Sequence, residues 1–387
     1  MTRRRNFLVA AAGAVVLVIS ALGGCGDGGA GAGAGDTVKI GSLQSTSGTE
    51  STFGKSSENG IRLAADEANK AGGVLGKKIE IASADTESSV DKTPGAMLKL
   101  IDHDKVVAVL GEVASGRSRA AAPEAQRNHI PMLSPASTNV TVTQIGDYIF
   151  RSCFTDDFQG VMIAKFTAEN LKLKRAVLLV DTKSDYSKGL ADVLTTEFPK
   201  LGGEIVAHES YASGDQNFKT QLTNLKNANP EIIFLPGYYT EIALIAKQAR
   251  ELGITCPMIG GDGWDSEVTI KVGGDAVNGC YFTNHYFSGD PDPKVQDFVK
   301  KFKAAYNDET PDAMAVLGYD AANIMFAAIK RAGSTDGPKI RDALAQTKDF
   351  PGVTGMITID KNRNASKPGV VLKIANGKIE MVTRVSP

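Results

Sequence analysis

The sequence predicts an α/β protein with a parallel sheet in each of two halves, and three observations carry that expectation. Short β-branched or apolar runs alternate with segments whose apolar residues return at helical spacing, the order that builds strand-helix-strand units. The alternation restarts after a break near Cys153. About 350 residues follow from Asp36 onward, too many for one simple core and suited to two domains of ordinary size.

In chain order, strands are expected at Val38 to Leu43, Ile79 to Ala84, Val106 to Leu110 and Ile130 to Leu133. Between the first two, Ile61, Ala64, Ala65 and Ala68 fall at i, i+3, i+4 and i+7, while Arg62, Asp66, Glu67 and Lys70 lie off that face. Gly72-Gly73 ends this helix. The second half repeats the type with strands at Ala176 to Val180, Glu204 to His208, Ile232 to Leu235 and Met258 to Ile259, and a helix marked by Ile242, Ile245, Ala246, Ala249 and Leu252. Helical pattern then covers Pro293 to Tyr306, Ala313 to Ala332 and Lys339 to Gln346. Gly355 to Ile359, Val370 to Ala375 and Ile379 to Thr383 close the chain as strands. In an open parallel sheet the ligand crevice lies beyond the carboxyl ends of the strands. Loops there are rich in small hydroxyl residues: Ser45-Thr46-Ser47-Gly48, Ser115-Gly116 and Ser134-Pro135-Ala136-Ser137-Thr138.

The first residues read as an export signal. Arg3, Arg4 and Arg5 form a basic flank, Phe7 to Leu22 an apolar run too short to span a membrane, and Leu22-Gly23-Gly24-Cys25 resembles the lipobox of bacterial lipoproteins. That resemblance implies a signal peptide over 1–24, cleavage before Cys25 and lipid attachment there, which places the protein at the bacterial cell envelope. Arg4-Arg5-Asn6-Phe7-Leu8 also resembles a twin-arginine signal, so the export route stays open. Residues 25–35 are nearly all glycine and alanine and read as a tether. Gly26, Gly28 and Gly31 form a G-x-G-x-x-G there, but with no strand before it and no helix after it this is no nucleotide site.

A net charge of -1 over 387 residues, with no basic tail, argues against nucleic acid as a partner. Cys153, Cys256 and Cys280 remain beyond the tether, and a Cys256–Cys280 bridge and two free thiols both stay open. Gly48 and Gly54-Lys55-Ser56 miss the phosphate-loop spacing by one residue, and no serine sits in G-x-S-x-G. His103, His129, His208 and His285 are scattered without zinc spacing and read as structural or surface residues. No acid/base dyad, metal or cofactor is expected, and the chain is read as non-catalytic.

Phe53-Gly54, Gly60, Ala65-Asp66-Glu67-Ala68-Asn69, Gly72 to Lys77, Gly111 to Ser118, Ile130-Pro131, Ser134 to Thr138, Arg151 with Gln159-Gly160, Tyr186, Gly237-Tyr238, Gly260-Gly261-Asp262-Gly263 and Gly318 to Ala321 follow one another in a specific order and spacing. Together they resemble the type I periplasmic binding proteins, specifically the leucine/isoleucine/valine-binding group that feeds ABC importers. The resemblance implies two Rossmann-like lobes joined by a three-crossover hinge, over 36–154 plus 286–353 and 155–285 plus 354–387, closing on a free amino acid.

It also implies roles. Ser115 matches the serine that donates to the ligand carboxylate, and it stands where a strand passes into a helix whose free amides suit an anion. Ala136 and Thr138 match a carbonyl and a hydroxyl offered to the ligand ammonium, with Ser137 between them, and Asp262 matches the acid that pairs with that ammonium. Phe53, Tyr186 and Tyr238 match aromatic walls around the ligand side chain, and Trp264 either lines the same cleft or caps the lobe edge. Glu112 and Arg117 depart from the leucine pattern and either reach a polar ligand group or pair on the surface. The implied partners are a small amino acid, aliphatic by preference, and a membrane permease, with the protein a monomer. An amide, urea, carboxylate or aromatic-acid receptor, or a sensory module, is the alternative on the same scaffold.

Overall fold

The computed structural model describes residues 37–387; the expected signal segment, Cys25 and the glycine-alanine tether lie outside the described residues. The first sheet contains β1 (Thr37–Gln44), β2 (Lys78–Asp85), β3 (Ala108–Gly111), β4 (Met132–Ser134) and β5 (Ile149–Arg151) in the order β2-β1-β3-β4-β5, every pair parallel. Helices α1 (Ser51–Lys70), α2 (Thr93–Leu98) and α3 (Ser115–Arg127) connect them. β4 starts later than the apolar run because the Ile130 amide is used by the Ala125 carbonyl in closing α3.

The second sheet takes β6 (Arg175–Asp181), β7 (Glu204–Tyr211), β8 (Ile232–Phe234), β9 (Met258–Gly260) and β10 (Tyr281–Asn284) as its parallel part. With them run α4 (Asp156–Lys165), α5 (Asp185–Lys200), α6 (Lys219–Asn227), α7 (Tyr239–Glu251) and α8 (Glu267–Gly273). The chain then returns to the first lobe as α9 (Pro293–Ala305), α10 (Ala313–Ala332) and α11 (Gly337–Ala345), followed by a three-stranded sheet of β11 (Phe350–Gly352), β12 (Gly355–Ile359) and β13 (Ala365–Ser366). Antiparallel β14 (Gly369–Ala375) and β15 (Lys378–Val385) complete the second sheet, in the order β15-β14-β10-β9-β8-β6-β7.

The chain therefore crosses between lobes three times, after β5, after β10 and after β13. The third crossing comes later than expected. Ile357, Ile359 and Ala365 share a core with Ile40, Leu133, Ile340 and Leu344, so Gly355 to Ser366 packs on the first lobe and the chain leaves it at Lys367-Pro368.

α10 is long and apolar enough to cross a membrane, yet Val316, Leu317, Ile324, Met325 and Ile329 bury it in the first lobe. Glycines let α1 and α10 approach at backbone distance. A Cβ at Gly60 would stand 1.8 Å from the Ala315 carbonyl oxygen, and one at Gly318 would stand 2.2 Å from that of Ser57. Cys153, Cys256 and Cys280 are free thiols; the Arg250 guanidinium donates to the Cys256 carbonyl at 2.8 Å and contacts Cys280 Sγ at 3.6 Å.

The lobes meet through named hydrogen bonds. Tyr239 and Thr240 donate to the Thr49 carbonyl at 3.0 and 3.1 Å, and Arg119 pairs with Asp185 at 2.7 Å while Asn139 donates to the Asp185 carbonyl at 2.7 Å. Asp265 of the second lobe accepts from the Ala313 amide at 2.7 Å, capping α10 from across the cleft. The helix's own cap, Asp312, accepts from the Ala315 amide at 3.0 Å and from Ser56 Oγ at 2.7 Å. Two carboxylates thus share one helix N-terminus, where amides and dipole favour negative charge. Burial still raises both above the usual carboxylate range, with the Asp262 charge adding to the rise of Asp265 and the Asp265 charge to that of Asp312.

Two outcomes follow from this packing. Gly60→Ala should destabilise the protein by about 1–3 kcal/mol in urea unfolding, whereas Gly95→Ala, with nothing within 4 Å of its Cβ, should lie within about 0.5 kcal/mol of the parent. A folded state that raises the Asp265 and Asp312 carboxyls binds protons more tightly than the unfolded chain, so the stability they contribute is full at low pH and lost as pH rises through their folded values. Asp312→Asn should therefore shrink the parent's loss of stability between pH 5 and pH 8 by on the order of 1–2 kcal/mol. An equal loss in both proteins would contradict the assignment.

Candidate functional site

A small cavity lies between the lobes, lined by Phe53, Val113, Ser115, Ala136, Thr138, Tyr186, Tyr238, Asp262, Gly263 and Met314. Seven of the eight cleft residues singled out from sequence are among them. From the first lobe, Ser115 opens α3 after an extended Ala114, so the first-turn amides have no helical partner. Its hydroxyl accepts from the Asn139 amide at 3.2 Å, which fixes the Ser115 loop against the Ala136 to Thr138 loop.

Ser137 is not at the cavity. Its hydroxyl is hydrogen-bonded to Ser118 Oγ at 2.7 Å and lies 3.0 Å from the Glu112 carbonyl oxygen, so its neighbours Ala136 and Thr138 face the cavity and it faces the core. Arg151, fully buried, donates to the Ser137 and Asn139 carbonyls at 2.5 and 2.7 Å and holds the loop from below.

Glu112 and Arg117 pair with each other inside the first lobe, Nε to Oε1 at 2.9 Å, and Arg117 also reaches Glu50 at 2.7 Å. Glu112 further accepts from Ser45 Oγ at 2.7 Å and from the Ala114 amide at 2.6 Å. The two carboxylates push the guanidinium further up, more than offsetting its desolvation. These charges are consumed internally.

Aromatic rings form one wall. Phe53, at the start of α1, meets Tyr238 edge-on at 6.0 Å and Tyr239 at 4.7 Å, and Tyr186 stacks on Tyr238 at 5.1 Å. The contact crosses from one lobe to the other. Trp264 does not line the cavity; it is buried in the second lobe's core, donating from Nε1 to the Leu235 carbonyl at 3.0 Å.

Asp262 supplies an acid to the opposite wall. It begins the turn Asp262–Trp264 after β9, where a Cβ at Gly261 would stand 2.3 Å from the Tyr186 hydroxyl and 2.7 Å from Gln159 Oε1. Gln159 Oε1 accepts from the Asp262 amide at 2.8 Å and from Thr283 Oγ1 at 2.9 Å. His285 Nε2 lies 3.0 Å from Asp262 Oδ2, both groups buried. Burial pushes the His285 imidazole down to about 4, keeping it neutral near pH 7. Asp156, at the start of α4, is pushed up to about 8 by burial and by the nearby Asp262. Among the described residues, no group of three or more His, Cys, Asp or Glu side chains is arranged to hold a metal ion.

Sequence reasoning missed Val113, Gly263 and Met314 as lining and His285 as a partner of Asp262. Val113 and Gly263 flank residues already singled out, while Met314 carries no signal beyond the start of an apolar helix. His103, His129 and His208 are exposed.

Residues 37–378 match the family model of the periplasmic binding proteins. The structure is similar to that of a leucine-binding protein, LivK, from Thermotoga maritima, with 40% identity, a TM-score of 0.86, and coverage of 90% of this chain and 99% of that one. It is equally similar to the branched-chain amino acid binding protein LivJ of Streptococcus pneumoniae, solved with isoleucine, at 36% identity and a TM-score of 0.86 over 91% of this chain and 100% of that one. The Leu/Ile/Val-binding protein homolog 1 of Brucella suis is 30% identical over 87% of this chain and 90% of its own length. With two lobes, three crossovers and a cavity between them, the chain belongs to the type I periplasmic binding proteins of the leucine/isoleucine/valine-binding family, the substrate-binding proteins of ABC transporters.

Proposed function

We propose that this protein is a lipid-anchored extracytoplasmic receptor that captures a small aliphatic amino acid by cleft closure and delivers it to an ABC permease, acting as a monomer. The observation that carries the reading is the opposed chemistry of one small cavity: a helix N-terminus and hydroxyls at Ser115 and Thr138 on one lobe, and the Asp262 carboxylate on the other. A zwitterion satisfies both. Its carboxylate meets unpaired amides at the start of α3, and its ammonium meets Asp262, whose burial would otherwise leave a carboxylate short of a counter-charge.

Phe53, Tyr238, Val113 and Met314 then surround the ligand side chain with apolar surface. Glu112 and Arg117 leave no free charge for it, being paired with each other. That favours an uncharged side chain. Closure and affinity are one free energy here, because the ligand gains contacts to both lobes only when they meet.

Calorimetry of the mature protein against the twenty amino acids tests the reading: micromolar binding, about -8 kcal/mol, is expected for a branched aliphatic ligand, and silence from all twenty removes it. Asp262→Ala should weaken that ligand at least tenfold; an unchanged affinity would mean the ammonium sits elsewhere. For the anchor, Cys25→Ala should move the protein from the membrane fraction to the soluble one, and an unchanged distribution would remove lipid attachment at Cys25.

A further inference from the structure

We propose that His285 is the positioning residue of the ammonium subsite, donating from Nε2 to Asp262 Oδ2 so that the other carboxylate oxygen stays committed to the ligand. This rests on the amino-acid reading of the cavity. Among the described residues His285 is the sole side-chain partner of the Asp262 carboxylate, at 3.0 Å. An ionised carboxylate only accepts, so the imidazole proton belongs on Nε2. Nδ1 is buried with no hydrogen-bond partner, which fits that tautomer.

The ring is packed in place. It stacks on Phe154 at 3.7 Å with planes 21° apart, and the His285 amide donates to Asn284 Oδ1 at 2.8 Å. Phe154 lies in the first crossing between lobes and His285 in the second, so the donor is held by the hinge itself. Lys367, in the third, is the other charged group that acts on the ring, and burial pushes it down to about 8. A carboxylate so held meets the ammonium without first spending rotational freedom.

The neighbouring residue repeats the device. Asn284 Nδ2 donates at 2.9 Å to Asp265 Oδ2, the same oxygen that caps α10 from across the cleft. Two consecutive residues at the end of β10 and the start of the second crossing therefore set the two acids of one turn, one toward the cavity and one toward the opposite lobe.

A double-mutant cycle with l-leucine as probe, read by calorimetry, tests the assignment. His285→Leu should weaken binding at least tenfold in the parent but less than twofold in the Asp262→Ala background, and His285→Gln, whose amide donates from similar reach, should recover most of the loss. Equal losses in both backgrounds, or no loss, would overturn the proposal. In the unsubstituted protein, 15N NMR should show a neutral ring protonated on Nε2 at pH 6; a proton on Nδ1 or a charged ring would overturn it without any variant. A parent that binds none of the twenty amino acids removes the ammonium reading and this role with it, whereas a parent that binds with additive losses removes this role alone.

Discussion

A carboxylate taken out of water must be met by donors or it will take up a proton, and the turn from Asp262 to Asp265 buries two of them between the lobes. Much of the surrounding architecture answers that requirement. β9 and β10 lie side by side in parallel, so the turn after one strand faces the crossing after the other, and Asn284 and His285 reach both acids. Gln159, from the start of α4, fixes the turn's backbone. Asp265 then accepts from the Ala313 amide in the first turn of a 20-residue helix, a site that suits negative charge without a cation.

The same logic separates charges that are available from charges that are spent. Glu112 has Arg117, two hydroxyls and an amide; Arg117 has two carboxylates. Asp156 is held high by burial and by the nearby Asp262. What faces the cavity is one acid, one helix start and a set of apolar walls, and the proposal of a small zwitterion with an uncharged side chain rests on that arrangement.

Much of the fold was legible because long amphipathic segments announce themselves. The stripe in α1 and the limits of α10 read directly from the chain, whereas β5, three residues long, is too short for a period to show. The third crossing was misplaced for a different reason: the apolar alternation of Gly355 to Ile359 says that one face is buried but not against which sheet. In the cavity, Ser137 looked equivalent to its neighbours, yet in an extended loop alternate residues face opposite ways, so only Ala136 and Thr138 reach it. His285 carried no motif, because its partner stands 23 positions away and strand pairing alone unites them.

Trp264 is the only tryptophan in the chain, and it lies within the turn that carries both acids, stacked on Phe282 at 6.4 Å with its indole N–H fixed to the Leu235 carbonyl. Its emission therefore originates at a single point, two positions from one carboxylate and one from the other. The molecule carries a native optical reporter of that turn, readable in the unlabelled protein without any engineered dye.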